Sequence, residues 1–379
     1  MRTLRIRGGA DMTGRPDTAR ALVLIGTRSL EFRQLEIPDP AASAALLRVE
    51  ACGLCGTDHE MFTGHLPVRT PMVPGHETVG VLVEVGDVAA DAWGVAVGDR
   101  VAVECFRSCR RCGPCRGGTY RRCEANGLRT AYGLSPIDVR PALSGGWADH
   151  HWLDIDSMLV PVPDGVEAVD ATLFNPVGAG IRWGAELPAT GPGDVVAVLG
   201  PGIRGLAAAA AAREAGAEFV MMTGLGDRDH PRLEAATGFG VNLAVDVADA
   251  DPVALLREAT GGRRADVVVD VTANAPAALG QAVSLAATGG RIVLAGTRNS
   301  VETPGFAPDA VVFKELTLIG ALGVDAPAYR RALDLVASDR YPFRSVSRTV
   351  APLADAADLL AVMAGEGSEP PPVHAVLVP

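Results

Sequence analysis

The sequence predicts an α/β protein in two unlike parts, a mostly-β domain followed by a doubly wound parallel sheet. Three observations predict it. Short apolar runs broken by glycine, at 21–25, 79–85 and 100–103, fill the first part, which has few long helical patterns. From about residue 176, apolar runs alternate with alanine-rich helical stretches, the pattern of strands joined by crossover helices. A length of 379 residues exceeds one typical domain.

Residues 1–20 are rich in arginine and lack an apolar core segment, so they are read as a flexible extension rather than a secretory signal, with Met12 as an alternative start. The parallel series places strands at 195–199, 219–223, 267–271 and 291–295, helices at 203–215, 232–237 and 276–286, and a closing strand at 316–320. The remainder has one helical pattern, 329–337, and a terminal strand, 373–378, expected to pack back on the first part. The expected domains are 21–175 with 324–379, and 176–323.

Apolar residues make up 48% of the chain, enough for sizeable cores. The formal charge of −11 argues against nucleic-acid binding, which leaves a basic footprint. No apolar stretch approaches the roughly 20 residues of a membrane helix. A cytoplasmic protein is expected. All seven cysteines lie in the first third, at Cys52, Cys55, Cys105, Cys109, Cys112, Cys115 and Cys123. In a long chain without a signal, such clustering reads as metal binding in a reducing compartment rather than as a disulfide scaffold.

The strongest motif is Cys109-x-x-Cys112-x-x-Cys115-x7-Cys123, in a lobe spanning about 105–125. Four thiolates at this spacing suit a tetrahedral zinc, and with no open position the site is structural. The neighbouring Arg107, Arg110, Arg111, Arg116, Arg121 and Arg122 are expected to offset the thiolate charge. Next is Gly200-Pro-Gly202-Ile203-Arg204-Gly205, after a strand and opening a helix, the context of a dinucleotide turn. The first glycine permits the turn, the second lets pyrophosphate approach the backbone, and the third lets helix and strand pack closely. At the end of the second strand, where an acid would meet the ribose diol of NAD, stands Gly224, with Arg228 near enough for a 2′-phosphate and Asp227 opposing it. This leans weakly to NADP. Thr272 and Gly296, directly after two later strands, are the remaining cofactor candidates. A third constellation, Cys52-Gly-Leu-Cys55-Gly-Thr57-Asp58-His59-Glu60 with Gly75-His76-Glu77, supplies thiolate, imidazole and carboxylate, the ligand types of a catalytic zinc.

Together with Val97-Gly-Asp99-Arg-Val101, Gly145-Gly-Trp-Ala148 and Lys314-Glu-Leu, these stretches resemble the zinc-dependent medium-chain alcohol dehydrogenases, the family of alcohol, sorbitol and threonine dehydrogenases, over about residues 21–379. The resemblance implies a GroES-like catalytic domain plus a Rossmann domain, an active site between them, and a dimer or tetramer. It matches Cys55 and His76 to zinc ligands, Asp58 to the partner of the ligating histidine, and Thr57 to the hydroxyl that contacts substrate. Cys52 and Cys105 match no ligand and read as small buried hydrophobes.

Two departures stand out. Asn175 occupies the region of the family's third ligand or water-linked glutamate, and an amide is a poor zinc ligand. Glu77 is expected to complete the site instead, as in sorbitol-dehydrogenase-like members, with Asn175 hydrogen-bonded to a zinc-bound water. Adjacent residues on a strand point to opposite faces, so His76 and Glu77 converge only on irregular backbone, which Gly75 permits. Glu60 stands where the family often has a relay histidine, and His59 is one residue early. The segment 127–144, with Tyr132 and Pro136, is placed at the substrate entrance. The expected function is zinc-dependent hydride transfer between NAD(P) and an alcohol or carbonyl. The alternatives are a zinc-free reductase on the same fold, acid–base elimination using Asn175 and Glu60, and a non-catalytic cofactor-binding protein.

Overall fold

The computed structural model describes residues 16–39, 41–139, 141–298, 301–303, 306–366 and 370–379. The extension expected over 1–20 lies outside the described residues up to position 15, and Thr18 already opens the first strand.

Strands β1 (Thr18–Gly26) and β2 (Ser29–Glu36) form an antiparallel hairpin. A mixed sheet follows from β3 (Ala44–Gly53), β4 (Glu77–Val85), β5 (Arg100–Val103), β6 (His150–Asp154) and β7 (Leu159–Pro161). The parallel sheet comprises β8 (Val195–Leu199), β9 (Phe219–Gly224), β10 (Leu243–Asp246), β11 (Ala265–Asp270), β12 (Ala286–Leu294) and β13 (Thr317–Gly320). The chain then returns to the mixed sheet with β14 (Arg348–Pro352) and β15 (His374–Val378), the latter antiparallel to β3. This is a GroES-like sheet joined to a Rossmann sheet.

The Rossmann order is β10-β9-β8-β11-β12-β13. Succession therefore reverses between β8 and β11, and a crevice opens beyond their carboxyl ends, where such sheets bind ligands. Both faces are covered, which is why β8 is an uninterrupted Val-Val-Ala-Val-Leu run with every residue buried. The helix Ile203–Glu214 lies on one face and buries six successive alanines, Ala207 to Ala212. Their small size lets the all-buried helix Phe174–Ile181 and its π-type continuation Arg182–Glu186 come close. A Cβ on Gly180 or Gly184 would lie 2.4 or 2.5 Å from Ala207 or Ala208. Lys314 of the Lys-Glu-Leu stretch caps the helix Ala278–Leu285, its Nζ donating to the carbonyls of Val283 at 2.7 Å and Ala286 at 2.9 Å. Strand β10 and the helix Pro252–Ala259 have no counterpart in the expected series.

Two buried histidines give the fold a pH dependence. His151 on β6 is fully buried, edge-on to the Tyr132 ring at 4.6 Å, and neither ring nitrogen has a hydrogen bond among the described residues. Burial, with Arg107 nearby, pulls it down to about 3. Burial, with Arg348 and Arg204 nearby, does the same to His374. Both are neutral in the folded chain and titrate near 6.5 when unfolded. Their contribution is intact above pH 6.5 and is lost as pH falls towards the folded value. Each contributes a slope of about 1.4 kcal/mol per pH unit in that window. In urea titrations between pH 6.5 and 5, His151→Phe should remove about 1.4 kcal/mol per pH unit of this decline relative to the wild type. An unchanged slope would refute the assignment.

Candidate active site

Cys55 is the N-cap of the helix Gly56–Thr63. Its Sγ accepts the Thr57 N–H at 3.3 Å, and its own N–H donates to Asp58 Oδ2 at 3.0 Å, a reciprocal capping box. The other carboxylate oxygen of Asp58 lies 3.4 Å from His76 Nδ1. One buried acid thus bonds the Cys55 backbone and faces the His76 imidazole. Gly75 adopts φ +92°, and a Cβ there would lie 2.4 Å from the Trp147 ring and 2.9 Å from Cys52 Sγ. This left-handed residue supplies the irregular backbone ahead of β4. Donor atoms of Cys55, His76 and Glu77 all lie within 4.8 Å of one another, and all three residues are buried.

The donor set fits a zinc ion. Glu77 Oε2 is buried and makes no hydrogen bond among the described residues. A buried carboxylate oxygen left unpaired is costly unless a cation takes it. Burial pushes Glu77 up to about 8, and the Cys55 thiolate adds to this. Burial would also raise the Cys55 thiol, but Arg204 and His76 outweigh it and hold it at about 6, close to the thiolate a metal needs. Cys52 is fully buried with its thiol pushed up to about 12 by that burial. Cys105, also buried, donates to Glu104 Oε1 at 3.5 Å.

Asn175 reaches the donor cluster through Arg204. Its Oδ1 accepts from Arg204 Nη2 at 3.2 Å, and its Nδ2 donates to the Tyr329 hydroxyl at 3.1 Å. Each end makes one of the two hydrogen bonds it can make, so a donor and an acceptor remain for a water nearby. Arg204 itself belongs to the glycine-rich turn, yet its guanidinium crosses to Glu77 Oε1 at 3.1 Å. Thr57 is half-buried beside Cys55. Glu60 Oε1 accepts from the Thr297 hydroxyl at 3.4 Å, and His59 Nε2 lies 3.1 Å from Glu366 Oε1.

The glycine turn has room for a dinucleotide. Gly200 adopts φ +101°, and a Cβ on Gly205 would lie 1.9 Å from the Gly200 carbonyl oxygen. Gly202 faces open space, where a phosphate could approach the helix N-terminus beside Ile203. A Cβ on Gly296 would lie 1.8 Å from the Thr272 carbonyl oxygen, so these two segments touch backbone to backbone. Thr272 is held by Asp270 through its N–H and its hydroxyl, at 3.0 and 2.6 Å, and Arg298 pairs with the same carboxylate. Sequence reasoning missed Asp270 and Arg298. Gly224 ends β9 as expected, but a Cβ there would lie 2.9 Å from Asp229 Cβ and 3.0 Å from Leu233. An acid at this position would point under the following helix, so Gly224→Asp does not report on cofactor choice. Arg228 is exposed, with Nη2 3.4 Å from the Met363 carbonyl. Tyr132 does not line an entrance: it is buried, hydrogen-bonded to Ser157 at 2.6 Å.

In the cysteine lobe, donor atoms of Cys109, Cys112, Cys115 and Cys123 lie within 4.8 Å of one another. The Cys109–Cys115 sulfur separation is 3.8 Å. Four sulfurs about 2.3 Å from a zinc are separated by about 3.8 Å at the edges of a tetrahedron. The described arginines do not all cover this charge. Arg107 pairs with Asp154, Arg121 with Asp325, and Arg110 donates to the Ser157 carbonyl. Backbone amides serve instead. Asn126 N–H donates to Cys123 Sγ at 3.3 Å, and those of Arg111 and Cys112 draw Cys109 down to about 6.

Known proteins match the chain over most of its length. Residues 41–164 match the model of the alcohol dehydrogenase GroES-like domain, and 205–338 that of the zinc-binding dehydrogenase domain. A Mycobacterium tuberculosis protein described as a probable alcohol dehydrogenase is 60% identical, over 95% of this chain and 98% of that one. Sorbitol dehydrogenase of Bacillus subtilis is 30% identical, over 85% and 87%. Among solved structures, a Sinorhizobium meliloti protein described as a zinc-binding dehydrogenase, bound to NADP, superposes with a TM-score of 0.78 at 27% identity, over 96% of this chain and 100% of that one.

Proposed function

The chain belongs to the zinc-dependent medium-chain alcohol dehydrogenase family, and from that premise we propose that Cys55, His76 and Glu77 form its catalytic centre. The enzyme is an NAD(P)-dependent oxidoreductase acting on the CH–OH group of a small alcohol or on the matching carbonyl. The observation that carries the centre is the convergence of these three donors within 4.8 Å, with Glu77 Oε2 buried and unpaired.

A zinc ion held there would supply Lewis acidity towards the substrate oxygen, and NAD(P) at the Gly200–Gly205 turn would supply the hydride donor or acceptor. The chain's residues do the rest. Asp58 holds the thiolate and the imidazole in register. The Thr57 hydroxyl takes the substrate proton and passes it outward to Glu60 or His59, which face the cofactor-side Thr297 and the Glu366 loop. Cys109, Cys112, Cys115 and Cys123 hold a second, structural zinc. Residues 21–175 and 324–379 act as the catalytic domain, and 176–323 as the cofactor domain. Seven free thiols suit a reducing cytoplasm; cell fractionation checks that placement. No helix among the described residues is long and apolar enough to cross a membrane.

A panel of alcohols and carbonyls with all four nicotinamide forms tests the reading. Net change at the nicotinamide absorbance is the expected result. Product without net redox change would mean elimination, and cofactor binding without turnover a sensor. For cofactor choice we favour NADP, since exposed Arg228 follows the end of β9 closely enough to meet a 2′-phosphate; the Sinorhizobium relative holds NADP. A charge-assisted contact of this kind is worth roughly tenfold or more in binding. Arg228→Ala should therefore raise KM for NADP(H) about tenfold and leave NAD(H) unchanged. A wild type that strongly prefers NAD would refute this.

We place the dimer contact at β13, the edge of the Rossmann sheet. Val312, Phe313 and Leu322 around it are 70, 82 and 61% exposed, an apolar patch beside an unpaired strand edge. Light scattering should find a multiple of 39.1 kDa that falls to the monomer in Phe313→Asp/Leu322→Asp.

A further inference from the structure

We infer that Arg204 makes this centre discriminate by the redox state of the nicotinamide, favouring the reduced form; this rests on the hydride-transfer reading above. The glycine turn that carries Arg204 faces open space at Gly202, where the pyrophosphate would lie. The guanidinium turns the other way, donating to Glu77 Oε1 at 3.1 Å and Asn175 Oδ1 at 3.2 Å. One side chain thus joins the cofactor turn to the metal donors.

Hydride transfer requires the nicotinamide carbon about 3–3.5 Å from the substrate carbon. The substrate oxygen must face Cys55, His76 and Glu77. The ring would therefore have to fit beside Arg204, which reaches from the turn to these donors. The oxidised ring carries a positive charge and the reduced ring none, so a fixed guanidinium opposes only the oxidised form.

The charge is not cancelled by the metal's own donors once a divalent cation is bound. Cys55 and Glu77 are then spent against the metal. The other contacts of Arg204 are neutral, since Asn175 is an amide and leads on to the Tyr329 hydroxyl. Asp58 is directed at the Cys55 N–H and His76. The cation is also permanent, because arginine does not deprotonate in proteins. The bias thus holds across the working pH range.

The test compares dissociation constants for NADPH, NADP, NADH and NAD, by titration of protein with its zinc counted, in wild type, Arg204→Met and Arg204→Lys. Methionine keeps the length and apolar stem without charge, and lysine keeps the charge. Wild type should bind the reduced forms at least tenfold tighter than the oxidised forms. Arg204→Met should narrow that ratio tenfold or more by tightening the oxidised forms, at unchanged zinc content, and Arg204→Lys should keep the wild-type ratio. Equal weakening of both forms in Arg204→Met, or an unmoved ratio, overturns the inference. If the methionine variant does not fold, Arg204→Gln takes its place with the same expectation. Failure of the wild type to bind any nicotinamide would overturn the hydride-transfer reading itself, a different result from an unmoved ratio.

Discussion

Cys55→Ser is expected to remove one of two zinc ions per chain and to lower kcat/KM by about a thousandfold or more. The Lewis-acid contribution of a catalytic metal is worth several kcal/mol, and each 1.36 kcal/mol is tenfold in rate. Serine keeps the N-cap, since its hydroxyl can accept the Thr57 N–H, so the helix Gly56–Thr63 should survive. The loss would then be chemical rather than structural. Glu77→Ala should also empty this site while sparing the four-cysteine lobe. Asn175→Glu gives a finer reading. A carboxylate at 175 would sit against Arg204, now 3.2 Å from Asn175 Oδ1, and compete with Glu77 for it. The variant should fold and keep zinc, with Glu77 freed from its ion pair. Metal counts per chain and kcat/KM decide the matter. Undiminished turnover by Cys55→Ser with a single zinc would end the case for a metal centre at Cys55, His76 and Glu77.

Cys112→Ser in the lobe should also leave one zinc per chain, but with the opposite phenotype. The lobe is built of a four-residue helix and a three-residue 3-10 turn, Gly113–Arg116 and Tyr120–Arg122, too short to persist unaided. Metal binding there contributes directly to local folding. Losing one of four thiolates should cost on the order of 3 kcal/mol. It should lower Tm by several degrees. NADPH binding should persist, because the turn at Gly200–Gly205 belongs to the other sheet. A fully stable Cys112→Ser protein retaining two zincs would refute the structural-zinc assignment.

What was legible in the sequence was what the chain writes contiguously. The Cys109–Cys123 spacing needs no knowledge of distant residues. The roles of Gly200, Gly202 and Gly205 follow from one strand–turn–helix unit. Strand β8 announced itself because both its faces are buried. Strand β10 did not, since Leu-Ala-Val-Asp is short, mixed in burial and lies at a sheet edge. The side-chain directions that shape the site were not legible either. Arg204 was placed with the cofactor because of its neighbours in sequence, but its long side chain finds Glu77, 127 positions away. Gly224 occupies the expected strand end, yet whether a Cβ would face ribose or Leu233 depends on how the next helix, His230–Ala235, packs back. Asp270 and Arg298 act as a pair across two strand ends, which no local pattern reveals.

Because Cys55 terminates a helix through the same sulfur it would offer to a metal, the donor geometry is set by backbone hydrogen bonds and Asp58 rather than by the ion. The capping bonds place the Cys55 sulfur of this socket independently of the ion, so the helix Gly56–Thr63 needs no folding step between the metal-free and metal-loaded forms. Occupancy is then governed by metal supply, and reconstitution after mild chelation should proceed without a refolding lag. The socket also gives up a safeguard: a rigid thiolate–imidazole–carboxylate triad takes whichever divalent ion binds more strongly in the usual affinity series, so the metal found in the purified protein will reflect the medium in which the cells grew.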